Sequence, residues 1–120
     1  MVDVGTKTGA VSPVNEVHLV GRVSGGPRKR ELPSGDGLLE FRVVVDRPAG
    51  SHRGRQRIDV VDCVVWSGRL LRTVSAWSAD DVVDVTGHVR RRFFRTAVGT
   101  GSRVEVEVRT ARLIRRSASA

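Results

Sequence analysis

At 120 residues the chain is long enough for one closed core and too short for two. Its formal net charge is +8, and Lys7 and Lys29 are its only lysines, so arginine supplies nearly all the positive charge. A planar guanidinium grips phosphate and stacks on bases, which suits a nucleic-acid partner; charge alone also admits a basic surface with no such partner. There is no long apolar run for a membrane span, and residues 1–13 lack the apolar middle of a signal peptide, so a flexible arm on a cytoplasmic protein is expected. A single cysteine excludes an intramolecular disulfide.

Taken in chain order, Val17, Leu19, Gly21 and Val23 share one parity and predict a first strand. Gly25-Gly26-Pro27, the basic run Arg28-Lys29-Arg30 and the Pro33-Ser34-Gly35 turn predict a basic loop. Phe41, Val43 and Val45 then form the core face of a second strand, with Glu40 and Arg42 pointing the other way. Residues 47–57, with four arginines, are too polar to pack and are expected to form a mobile basic loop.

Residues 58–66 predict a third strand, with Val61, Cys63 and Val65 on one face and Val60, Asp62, Val64 and Trp66 on the other. Both faces are largely apolar, so the strand is either covered twice or leaves apolar groups on a binding face. Its parity makes Cys63 a core residue rather than a nucleophile. Leu70, Leu71, Val74 and Trp77 recur at helical spacing, which predicts a short amphipathic helix with Ser67 as N-cap and Trp77 in the core. A fourth strand carries Val83, Val85, Gly87 and Val89. The fifth alternates Val104, Val106 and Val108 with Glu105, Glu107 and Arg109, and Leu113 and Ile114 finish it. Residues 115–120 are expected to be a flexible tail. An all-β chain of five strands with one helix between the third and fourth has the order of the OB-fold, a Greek-key barrel, here over residues 14–114.

The order of strand, charged loop, Pro-x-Gly turn and strand in residues 15–45 resembles the opening of bacterial single-stranded DNA-binding proteins, the SSB family. The resemblance resumes at residues 58–66 (IDVVDCVVW) and in the following helix and the strand ending at Gly87. It implies non-catalytic, largely sequence-independent binding of single-stranded DNA in replication, repair or recombination. It also implies a cytoplasmic, nucleoid-associated homo-oligomer, a dimer or tetramer. By spacing from Gly87 it puts one base-stacking ring at Phe94, and it puts another at Trp66. Of the adjacent Phe93 and Phe94, one ring is expected in the core and the other outside. Arg90, Arg92 and Arg95 would flank the rings, and Arg28, Lys29, Arg30, Arg53, Arg55 and Arg57 would supply phosphate contacts from the loops.

The chain departs from the family pattern at Val60 and near Ala49, where aromatics are usual, and it has no tyrosine. It ends without an acidic tip, which favours an auxiliary SSB-like protein. The alternatives are an RNA-binding OB-fold protein and a barrel that docks protein. Enzyme chemistry is not expected. His18, His52 and His88 are scattered, Asp80, Asp81 and Asp84 suit a solvated cap, and no nucleophile elbow or phosphate-cradling loop is present. No cofactor or metal is expected.

Overall fold

Alternating valines dominate the chain, and a β-branched residue every second position is what a half-buried strand requires. In a computed structural model, which describes residues 10–50, 54–66 and 68–118, these runs become strands. They are β1 (Val17–Val23), β2 (Arg28–Glu31), β3 (Gly37–Asp46), β4 (Ile58–Val65), β5 (Val82–Thr96) and β6 (Gly99–Arg115), with helix α1 (Gly68–Ser75) after β4. The sheet order is β1-β5-β6-β4-β3-β2, and a further pairing of β1 with β3 closes five of the strands into a barrel. All pairs are antiparallel except β4 with β6, where Cys63 lies opposite Val106. β2 lies outside the ring, on β3, so α1 falls between the third and fourth ring strands as expected.

The core is the inward parity of every ring strand: Val23, Phe41, Val43, Cys63, Val65, Val83, Val85, Val106 and Val108 are all buried. Val74 and Trp77 close it from the helical segment, and Trp77 meets Phe41 edge-on at 5.4 Å between ring centroids. Burial, reinforced by the charges of Asp62 and Glu105, pushes the Cys63 thiol up to about 12, so it stays protonated and inert. The β1–β3 closure depends on Gly21, because a Cβ there would run into the carbonyl oxygen of Val44.

Several expectations are corrected. The basic run Arg28-Lys29-Arg30 is a strand, not a loop: it pairs with Gly37–Glu40 across a hairpin whose tip holds the Pro33-Ser34-Gly35 turn. The last two strands are longer than their valines suggest, because their pairing continues to Thr96 opposite Gly99. Asp81 is buried rather than solvated: it accepts hydrogen bonds from the backbone N–H of Ser78 (2.8 Å) and Ser117 (2.7 Å) and from Arg116 (3.3 Å). These bonds, the backbone pair first, hold its carboxyl below the ordinary value. They also tie the chain down past Ile114, since Arg116 bonds the carbonyl of Ala76 as well. The second face of β4 is mixed: Val64 is buried and Asp62 is ion-paired, while Val60 and Trp66 remain exposed. Ser67 lies outside the described residues.

Candidate nucleic-acid interface

Opposite the core face, the same strands turn a second set of side chains outward. Register fixes which ones meet. Across β5 and β6, Phe94 lies opposite Gly101, Arg92 opposite Arg103 and Arg90 opposite Glu105. Across β3 and β4, Arg42 lies opposite Asp62 and Glu40 opposite Val64. Arg28 of β2 lies opposite Glu40.

The result is a single network of charges. Arg92 bonds Glu105 at 3.1 Å and approaches Glu40 at 3.9 Å; Arg103 spans Glu105 (3.7 Å) and Asp62 (3.4 Å); Arg42 bonds Asp62 at 2.8 Å. Arg30 bonds Glu40 closely, and Arg28 stands 4.0 Å from it. Five guanidiniums therefore share three carboxylates, leaving a surplus of two positive charges. Glu105, only 3% exposed, is the buried centre of the network. Bonds of this kind fix the direction of each arginine, so the network holds its cations in a defined fan.

Two aromatic rings lie on the surface beside this network. Phe94 is 41% exposed, its ring laid over Gly101, where an added Cβ would come within 2.8 Å of it. Trp66, at the end of β4, is 38% exposed. Phe93 is exposed as well, at 67%, so the expectation that one of the two phenylalanines lies in the core is not met. They do face opposite ways, but beyond Gly87 β5 has lost β1 and pairs with β6 alone, so neither face has a core beneath it.

The other anticipated cations are spread more widely. Arg90 is held by Glu107 at 3.0 Å. Lys29, Arg55 and Arg95 are exposed, and Arg95 has no carboxylate partner among the described residues. The backbone carbonyl of Arg57 accepts a bond from the Arg47 N–H, closing the neck of the 47–57 loop. At that neck Arg47 also grips Asp59 in bidentate fashion, which lowers the carboxyl of Asp59 below its usual range. Arg53 lies outside the described residues. Arg42 and Arg103 were not anticipated; Arg42 was legible only as an outward residue of its strand, and Arg103 carried no signal until register set it beside Asp62.

Residues 14–114 match the model of the single-strand binding protein family. The chain belongs to that family. Among SSB relatives, the single-stranded DNA-binding protein of Oceanobacillus iheyensis is 30% identical over 81 residues, 68% of this chain and 50% of that one. Single-stranded DNA-binding protein 3 of Listeria innocua is 32% identical over 79 residues, 66% of this chain and 49% of that one. The chain thus spans about half the length of the curated relatives it matches.

Two solved SSB structures share the fold at low identity. The Plasmodium falciparum protein, in a structure described as a complex with single-stranded DNA, is 19% identical with a TM-score of 0.66, covering 89% of this chain and 98% of that one. The mitochondrial single-stranded DNA binding protein of S. cerevisiae is 13% identical with a TM-score of 0.67, covering 88% and 100%. The five-stranded barrel with one short helix is therefore an OB-fold of the SSB type. Among the described residues no helix is long and apolar enough to cross a membrane, and no His, Cys, Asp and Glu side chains group so as to hold a metal ion.

Proposed function

We propose that this chain binds single-stranded DNA without catalysis and with little sequence dependence, as a cytoplasmic, nucleoid-associated protein acting in replication, repair or recombination. The observation that carries the reading is the pair of exposed rings, Trp66 and Phe94, beside a face where guanidiniums outnumber carboxylates. Bases stack on the rings and phosphates meet the surplus positive charge; every base has a π-face, so this mechanism is tolerant of sequence. Arg28, Lys29, Arg55, Arg90 and Arg95 are the exposed cations best disposed to reach phosphate, while Arg30 and Arg92 act from within the network.

Self-association belongs to the same reading. Among the described residues, the edge of β1 away from β5 pairs with β3 only at Arg22 and Val23, so residues 17–21 offer a strand edge beside the exposed Val20. A symmetric dimer, or a dimer of dimers, covers it. Sedimentation showing a monomer at tens of micromolar would contradict this.

Competition of equal-length single-stranded DNA, RNA and duplex oligomers for a labelled DNA strand tests the function. Single-stranded DNA should displace the label at the lowest concentration, with an affinity that falls steeply with salt. Equal displacement by RNA would move the assignment to an RNA binder. Absence of salt-sensitive binding to any of the three would overturn it.

A further inference from the structure

One cleft on the outer face is built differently from a stacking surface. It has a volume of about 300 Å³ and is lined by the Gly25-Gly26 turn, by Arg28, Arg42 and Arg103, and by Glu40 and Asp62. That volume is at the lower end of pockets that enclose small organic ligands. Its charges are graded by depth. Arg28 and Arg42 are exposed, whereas the side chain of Asp62 is 31% exposed and that of Glu40 only 15%. A Cβ added to either Gly25 or Gly26 would meet no atom within 4 Å, so that wall is backbone beside open space.

Asp62 keeps accepting capacity inside this cleft. Arg42 Nε donates to one of its oxygens (2.8 Å) and Arg103 Nη2 to the other (3.4 Å), whereas two carboxylate oxygens together offer about four acceptor sites. A pure phosphate site has no use for a carboxylate, which repels the ligand. A carboxylate set among guanidiniums matches a group that is a hydrogen-bond donor at one corner, an acceptor beside it and an anion next along the chain. Cytosine within a DNA strand is such a group. Its N4 amine donates, N3 and O2 accept, and the phosphates follow. Thymine offers a single N3–H between two carbonyl oxygens, so a carboxylate that approaches it meets partial negative charge on both sides.

We propose that this cleft is a base-reading subsite, in which Asp62 accepts a hydrogen bond from the exocyclic amine of a cytosine while Arg28, Arg42 and Arg103 hold the ring acceptors and the adjoining phosphates. The subsite rests on the single-stranded DNA reading and adds to it a preference for amino-bearing bases over thymine. Glu40, deeper and engaged by Arg28, Arg30 and Arg92, is the positioning residue that keeps Arg28 at the cleft.

The test is anisotropy titration of the unaltered protein at neutral pH with three labelled oligomers of equal length. One is oligo-dC, one is oligo-dT, and one is a run of 2-pyrimidinone deoxynucleotides, which keep the cytosine ring but lack the amine. The expected result is oligo-dC tighter than oligo-dT by roughly two- to tenfold, the net effect of one hydrogen bond, with the pyrimidinone run no tighter than oligo-dT. Asp62→Ala should remove the preference and steepen the salt dependence, because Arg42 then loses its carboxylate partner and Arg103 keeps only Glu105. Should that variant fold poorly, the pyrimidinone comparison on the native chain still decides. Equal affinity for all three, or a preference for oligo-dT, overturns the subsite and leaves DNA binding intact. Failure of all three to bind overturns both.

Discussion

The two halves of β5 carry the same alternation and have opposite fates. In residues 82–87, Val83, Val85 and Gly87 face inward and are buried, because β1 and β6 flank the strand and the barrel closes over it. From Arg90 to Thr96 the same parity continues through Arg91, Phe93 and Arg95, all exposed, since only β6 remains alongside. Alternation decides which face a side chain takes; the number of neighbouring strands decides whether that face is covered. The barrel half is therefore held to valine, and the ribbon half is free to carry rings and guanidiniums at positions where either would ruin a core. Folding and the proposed binding are in this way divided along one strand.

The division can be broken at its strong end first. Val106→Asp puts an unpaired charge into the barrel core and should cost about 4 kcal/mol or more, abolishing cooperative thermal unfolding. Gly21→Ala forces β1 away from the Val44 carbonyl and should cost about 1–3 kcal/mol in urea unfolding, with DNA affinity per folded molecule unchanged.

Two arginines of the ribbon half differ in the same way. Arg92→Ala strips the buried Glu105 of its nearest partner and should lower stability by about 1–3 kcal/mol. Arg95→Ala should leave the unfolding midpoint in place and flatten the logarithmic salt slope of DNA binding by about 0.7, the signature of one lost phosphate contact on a single strand. A slope change without stability loss in Arg92→Ala, or the reverse in Arg95→Ala, would show that the boundary between support and contact has been drawn in the wrong place.

The smallest expected effect concerns acid. The carboxyl of Asp81 is depressed in the fold, so its tie to Ser78, Ser117 and Arg116 contributes fully above the ordinary carboxylate value near 3.8 and is lost as pH falls through the depressed one. Asp81→Asn should weaken that pH dependence in urea midpoints collected on the acid side.

Valine alternation made the barrel legible from sequence. Val17/Leu19, Phe41/Val43 and Val104/Val106/Val108 each announce a half-buried strand, and the one break to helical spacing, at Leu70, Val74 and Trp77, fixes where the helix falls. The parts that were not legible depend on partners distant in sequence. Arg28-Lys29-Arg30 has loop composition and becomes a strand because β3 offers it an edge. Glu40, Asp62 and Glu105 look like solvated positions on separate strands until register brings them into one network. Phe93 and Phe94 could be found by their setting among arginines, but their joint exposure follows from where β1 stops, which alternation does not encode.

Stacking separates a dedicated single-strand binder from a merely basic protein, which would reproduce the salt dependence. The decisive measurement is the affinity of Phe94→Ala and Trp66→Ala for one single-stranded DNA oligomer at moderate salt, beside the unaltered chain. Each substitution should weaken binding by about 1–3 kcal/mol while leaving the salt slope and the unfolding midpoint nearly unchanged. Unchanged affinity in both variants would contradict the account and leave an SSB-type barrel that holds DNA, if at all, by charge alone.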